Sequence, residues 1–380
     1  MRVPSLLLCF VAAVASVAAQ AATQPILFGT GASIYAYKLD TTDGSLTASG
    51  TTALGSKYVR STTKTFSEGK KAVYVINSST SDSKVTPGTK AGTVHAYTVN
   101  TDGSLELLNT VETPGTSAAA HISLSPDEDF IVVSSYGGAT ITMYPINTDG
   151  SLADKSFNQE FPTGSKVVSP QQDIGRVHST TWLPNSNHVV AAGWGSDELL
   201  QYNLDASKQT LTSLEKNVDS QPGSAPRHMA VHPNNKFAYV TNELANTVNV
   251  FNIDTEAALV VGPVVQKIST IPADFTNTTT AADVHFSRNG KFLYASNRGH
   301  DSIAIYKIDE TTGKLTSVGW ESTRGQTPRG FVIYEDWLIV ANQGSGDMYV
   351  FKVDAATGKL TYTGNSYEVS KVQCLDVAEI

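Results

Sequence analysis

Cysteine is nearly absent from this 380-residue chain: there are two, Cys9 and Cys374. Removal of the N-terminal leader described below would leave Cys374 alone, which excludes a disulfide within the mature chain. Stability must then come from burial and strand pairing, with Cys374 expected as a buried, inert thiol. Methionine is also scarce, with four, and charged residues make up only 16%. Beyond residue 21 no apolar run is long enough to span a bilayer. A formal net charge of −8 repels phosphate backbones and anionic lipids, so neither nucleic acid nor a membrane surface is an expected partner. An anionic small ligand is still allowed, because a local arginine cluster can reverse the sign inside one pocket. No Gly-x-Ser-x-Gly elbow occurs, which argues against a serine triad of that kind. His121, His228, His285 and His300 show no His-x-His or His-x-x-x-His spacing among themselves, so no metal is expected, nor any cofactor.

What the chain does have is glycine, with 29, and many Thr, Ser, Val and Tyr, a composition that favours strands. Met1-Arg2 followed by the apolar run Leu6 to Ala19 reads as a secretory signal ending near residue 21. The product would be a secreted, extracellular protein comprising residues 22–380. The sequons Asn77-Ser78-Ser79 and Asn277-Thr278-Thr279 fit export and are expected in polar loops.

One unit repeats seven times. An alternating strand ends in an aromatic, then a turn residue, then Gly-Ser-Leu or a relative of it. The aromatics are Tyr37, Tyr97, Tyr144, Tyr202, Phe251, Tyr306 and Phe351. Just upstream lies a short apolar strand such as Phe237 to Asn242 or Phe292 to Asn297. Before that comes a third strand, such as His178 to Trp182. The spacing, roughly 45 to 60 residues, is that of four-stranded propeller blades. The chain is therefore expected to be all-β, a seven-bladed propeller in one domain. Ile26 to Gly29 has no inner strand before it, and Val372 to Val377 is an inner strand with nothing after it. Pairing the two would close the ring. The polar stretch Ser78 to Lys90 is expected to be an exposed loop.

Inner strands line the channel of a propeller. The start of an inner strand and the end of its antiparallel neighbour lie on one face. His178 and Arg227 open consecutive inner strands, while Glu243 and Arg298 follow second strands. The four should meet at one mouth. Two arginines can grip a carboxylate or an incipient oxyanion, and His and Glu can move protons. Arg176, His228, Asn242, Asn297 and His300 flank them and are expected to bind substrate.

At these residues the sequence resembles the seven-bladed propeller lactonases, a family that includes propeller-type 6-phosphogluconolactonases and fungal carboxy-muconate cyclases. The resemblance rests on Pro226-Arg227-His228 with His232-Pro233, on Asn242-Glu243-Leu244 and on Ser296-Asn297-Arg298-Gly299-His300-Asp301-Ser302. Asn342-Gln343 with Phe351, Asp354, Thr357, Gly358 and Leu360 adds to it. It implies an active site of His178, Arg227, Glu243 and Arg298. The chain departs from the family at Arg176-Val177-His178, often His-x-His, and at Asp197-Glu198, often Asp-Arg. The expected function is opening of a sugar or aldono-lactone, with cyclisation of a carboxy-muconate as one alternative and a non-catalytic binding platform as another. The expected partner is a small lactone or dicarboxylate, and the expected state a monomer.

Overall fold

The computed structural model describes residues 25–52, 57–66, 70–78, 92–114 and 118–378. The regular elements there are β-strands, arranged as seven antiparallel sheets of four strands, one with a short fifth. Each sheet is one blade. From the channel outward, blade 4 comprises Val177–Trp182, His188–Gly193, Glu198–Asp205 and Thr210–Ser213, and Val218–Asp219 adds to its third strand. Blade 5 comprises Pro226–Val231, Phe237–Asn242, Thr247–Asp254 and Leu259–Ser269. Blade 6 comprises Thr280–Phe286, Phe292–Arg298, Ser302–Ile308 and Leu315–Ser322, and blade 7 runs from Pro328–Tyr334 to Leu360–Glu368.

Blade 1 is built from both ends of the chain. Cys374–Ala378 is its inner strand and pairs antiparallel with Ile26–Thr30, from Ile26 opposite Ala378 to Thr30 opposite Cys374. The strand edges that each terminus would expose are thereby paired, which removes a site for aggregation. Blade 2 begins with Lys57–Thr65 and blade 3 with Ala119–Leu124. Each inner strand touches the next in sequence order, and the inner strand of blade 7 touches that of blade 1, so the ring is continuous.

The repeat has a packing cause. A tyrosine at the centre of a second strand reaches into the following blade and donates its hydroxyl to the turn glycine there. Tyr74 bonds the Gly150 carbonyl at 3.0 Å, Tyr239 that of Gly313 at 2.7 Å and Tyr294 that of Gly358 at 2.9 Å. Gly313 and Gly358 have φ near +70°, and a Cβ at either would stand within 2.5 Å of Phe237 or Phe292. Both backbone angle and close approach therefore require glycine. The repeat's aromatics continue the seam: Tyr144 bonds the Glu112 carbonyl at 2.8 Å and Tyr306 that of Ser269 at 2.6 Å. Burying each of these rings contributes roughly 1.5–3 kcal/mol, so the blade interfaces are the core of the molecule.

Three expectations need revision or lie elsewhere. Asn77 is not in a loop. It is paired in the strand Lys71–Ser78, opposite Tyr58 and Thr93, with its amide oxygen buried. Asn277 does lie exposed in a loop. The signal segment and most of the stretch Ser78 to Lys90 fall outside the described residues.

Candidate functional site

A β-bulge at the start of an inner strand places the key side chains. In blade 4 the register breaks between Val177 and Ser179, and in blade 5 between Pro226 and His228. In blade 7 it breaks between Pro328 and Gly330. The residues left over are His178, Arg227 and Arg329. A bulge leaves one residue unpaired and re-aims its side chain. Ala225 and Thr327, each two residues before a bulged arginine, have φ of +57° and +58°. That conformation is disfavoured for side chains other than glycine, and here it turns each chain into its bulge.

Glu243 is the hub of the mouth. Its Oε1 accepts a hydrogen bond of 2.6 Å from Arg298 Nη2, and its Oε2 one of 2.9 Å from Trp194 Nε1. Arg227 Nε lies 3.2 Å from Oε2, but its N–H is not aimed there, so this contact is an ion pair without a hydrogen bond. Arg298 also donates to the Ala281 carbonyl at 3.1 Å, while its Nε has no acceptor. The side chains of Glu243 and Arg298 are 16% and 15% exposed, and that of Arg227 only 1%. One carboxylate thus serves two guanidiniums, and donor capacity is left over.

Electrostatics follow from this crowding. Burial pushes the Glu243 carboxyl up, but Arg298, Arg227 and the Trp194 N–H outweigh it and bring it to about 2. Glu243 is an anion at any ordinary pH. Burial and the charge of Arg298 bring Arg227 down to about 9, still a cation. Burial, with Arg227 and His228 beside it, holds His178 well below the usual histidine range, so its ring is neutral. Its Nδ1 is buried without a partner. The ring stands 5.0 Å from His228 and 5.9 Å from Tyr136, centroid to centroid.

The structure brings His178, Arg227, Glu243 and Arg298 to one mouth and places the flanking residues differently. Arg176 is spent on structure: it stacks on Tyr136 at 4.7 Å and donates to the Gln171 and Tyr136 carbonyls. His228 sits just below, with its Nε2 3.3 Å from Arg227 Nη1. Asn242 and Asn297 are fully buried, each bonded within its own blade and to the segment leading in from the preceding one. Asn242 bonds Ser220 and Thr247, and Asn297 bonds the Thr270 carbonyl and Ser302. His300 is held by Ser302 Oγ at 2.6 Å with its ring against Phe275, away from the cluster.

Four residues were missed. Arg329 repeats the Pro-Arg pair of blade 5, and that repetition in Thr327-Pro328-Arg329-Gly330 was the available signal. Burial and Arg298 lower it to about 10, and no carboxylate among the described residues lies within ion-pair distance of it. Tyr136 and Trp194, 5.1 Å apart edge to face, form an aromatic wall. Asp197 accepts from Ser165, Gln172 and the backbone N–H groups of Gly223 and Ala225 at 2.7–2.9 Å. It thereby ties two loops behind the Arg227 bulge, a role that its place in the Asp197-Glu198 pair does not reveal. Further down, Arg60, Arg227, His228, Asp283, Arg329 and Cys374 help to line a cavity with room for about one water. Cys374 is buried and its thiol is pushed up by burial.

A family model described as lactonase, 7-bladed beta-propeller, matches residues 15–377. A Bacillus subtilis protein named 6-phosphogluconolactonase is 32% identical over 242 residues, which cover 63% of this chain and 67% of that one. A Formosa agariphila protein of the same name is 31% identical over 254 residues, covering 64% and 68%. Among solved structures, a Pseudomonas aeruginosa periplasmic gluconolactonase superposes with a TM-score of 0.82 at 28% identity, over 94% of this chain and 99% of that one. With the fold, the closure and these matches in agreement, the chain belongs to the seven-bladed β-propeller lactonase family.

Proposed function

We propose that this protein hydrolyses an aldonolactone at the upper mouth of its channel. The observation that carries the reading is one carboxylate, Glu243, holding two guanidiniums beside a neutral imidazole with an unpartnered buried nitrogen. Arg227, Arg298 and Arg329 supply cationic donors where charge develops on the lactone carbonyl oxygen. His178 takes a proton from water as the water oxygen bonds to the carbonyl carbon. The tetrahedral intermediate then breaks its bond to the ring oxygen. The imidazolium, made strongly acidic by burial and by the arginines, returns the proton to that leaving alkoxide. The product is a hydroxy acid that loses a proton to solvent, and the arginines hold the resulting carboxylate until release. Glu243 acts as counter-ion, because a carboxyl at about 2 cannot donate a proton at neutral pH. Tyr136 and Trp194 offer a face for the sugar ring.

The names of the relatives support lactone opening, and the Pseudomonas protein, named a periplasmic gluconolactonase, supports an exported enzyme and a gluconolactone-type substrate. A secreted chain would meet free sugar lactones more readily than phosphorylated ones. The test is a panel of glucono-1,5-lactone, other aldonolactones, a 6-phospho-lactone and a carboxy-muconate. Saturable opening of a free aldonolactone, lost in His178→Ala, is expected. Loss of the muconate diene absorbance with no lactone opening would replace hydrolysis by cyclisation.

A further inference from the structure

Asp283 is a buried carboxylate that the hydrolytic steps do not use. It lies in the inner strand of blade 6, where the register breaks between Ala281 and Val284, and is 2% exposed. Its Oδ1 is 2.6 Å from His228 Nδ1 and accepts the Val284 N–H at 3.1 Å. Its Oδ2 accepts the Phe331 N–H at 3.4 Å and stands 3.2 Å from His285 Nε2 without hydrogen-bond alignment. Asp283 therefore ties the inner strands of blades 5, 6 and 7 together.

The contact with His228 fixes a tautomer. A carboxylate can only accept, so Nδ1 carries the proton and Nε2 is left with a lone pair. That lone pair faces Arg227 Nη1, a group that can only donate, at 3.3 Å. A chain of directed bonds runs from Asp283 through His228 to Arg227. Were Asp283 and Arg227 paired directly, the guanidinium would be neutralised and drawn down the channel, away from Glu243. The neutral imidazole between them passes on orientation while leaving the arginine its charge.

We propose that Asp283 is a positioning residue of the hydrolytic site: by holding His228 in the Nδ1–H form, it aims the Arg227 guanidinium at the mouth. The inference rests on the lactonase reading for its effect on rate, but not for its effect on the tautomer. Its closest formal parallel is the buried aspartate that orients a catalytic histidine, where exchange for asparagine installs the wrong tautomer.

The experiment uses the full mature chain with 15N-labelled histidine, His228 being assigned by loss of its signals in His228→Gln. Wild type is expected to show His228 protonated at Nδ1 and bare at Nε2. In Asp283→Asn the amide can donate to Nδ1, and the proton is expected to move to Nε2. On the best lactone, kcat should fall about 10- to 100-fold with KM changed less than about threefold, since Arg227 acts on the developing oxyanion. His285→Ala removes the other histidine from Asp283 but leaves the His228 bond, and should keep kcat within about twofold. A His228 protonated at Nε2 in wild type, or unmoved in Asp283→Asn, overturns the proposal. Equal losses of kcat in His285→Ala and Asp283→Asn also overturn it, because they mark a general packing role. Failure of wild type to open any lactone refutes the hydrolase reading, and the histidine signals still decide the orientation claim.

Discussion

Blade 3 enters the channel with Ala119-Ala120-His121 and blade 5 with Pro226-Arg227-His228. Both segments follow a residue at positive φ, Ala118 at 86° and Ala225 at 57°. Both break register across the middle residue, and the two histidines meet edge to face at 5.6 Å. The backbone device is the same. At the bulge, however, blade 3 offers the methyl of Ala120 and blade 5 a guanidinium. The histidines then diverge. His121 Nδ1 receives only a long bond from the Thr180 N–H at 3.5 Å, while His228 is fixed between Asp283 and Arg227. The propeller thus repeats a socket, and chemistry comes from which blades fill it with a polar side chain. Blades 4, 5 and 7 do so with His178, Arg227 and Arg329, and the two-residue break of blade 6 holds Asp283.

The comparison can be broken most severely by making blade 5 resemble blade 3. Arg227→Ala should lower kcat/KM by about 10³-fold, the size expected for loss of an oxyanion donor. Steady-state kinetics with far-UV circular dichroism would check that the fold survives. Glu243→Gln comes next, because it leaves two buried guanidiniums without a counter-ion. A loss of about 3–5 kcal/mol in denaturant unfolding at pH 7 is expected.

That loss should depend on pH in a defined direction. The folded carboxyl of Glu243 is depressed, so its stabilisation is complete above the ordinary carboxylate range and disappears as pH falls toward 2. Wild type and Glu243→Gln should therefore converge in acid. His228, lowered to about 3 by burial first and Arg227 second, acts in the same direction. Its neutral form favours the fold above about pH 6.5, and that contribution is lost as pH falls from there toward 3. Melting temperatures measured from pH 8 down should decline from near 6.5 in wild type, with no rise at any step.

Smaller effects sharpen the same contrast. Asp197→Asn removes a charged acceptor of four bonds behind the Arg227 bulge and should cost about 2 kcal/mol of stability. Trp194→Phe deletes one donor to Glu243 and should cost about 1 kcal/mol, with kcat/KM down a few-fold. Ala120→Ser, in the unused socket, should change stability by less than about 1 kcal/mol and leave kcat/KM within about twofold.

Much of this arrangement was legible in the chain. The aromatic and glycine spacing repeats because blade turns pack on the blade before them, as Gly313 does on Phe237, Gly358 on Phe292 and Gly44 on Trp337, so one local rule recurs around the ring. Closure was readable from a missing inner strand at one end and an unmatched one at the other. The mouth set followed from strand polarity alone. What escaped reading depends on contacts between blades. The roles of Asp283 and Asp197 are defined by partners 25 to 55 residues away. Arg329 copies the setting of Arg227, and the Pro-Arg pair that the two share is the one mark in the sequence of that bulge. Asn242 and Asn297 were misleading for the opposite reason. Polar residues at strand ends can face the channel or bond elsewhere, and here Thr247 and Ser302 in the same blade, with the Thr270 carbonyl in the segment leading from blade 5, hold them.

The most direct test is a crystal structure of the protein soaked with gluconate, the product of glucono-1,5-lactone opening. The account predicts the product carboxylate at the upper mouth, within hydrogen-bond distance of Arg227 or Arg298 and with His178 facing the former ring oxygen. Gluconate bound on the outer loops while this mouth remains filled only by solvent would contradict it.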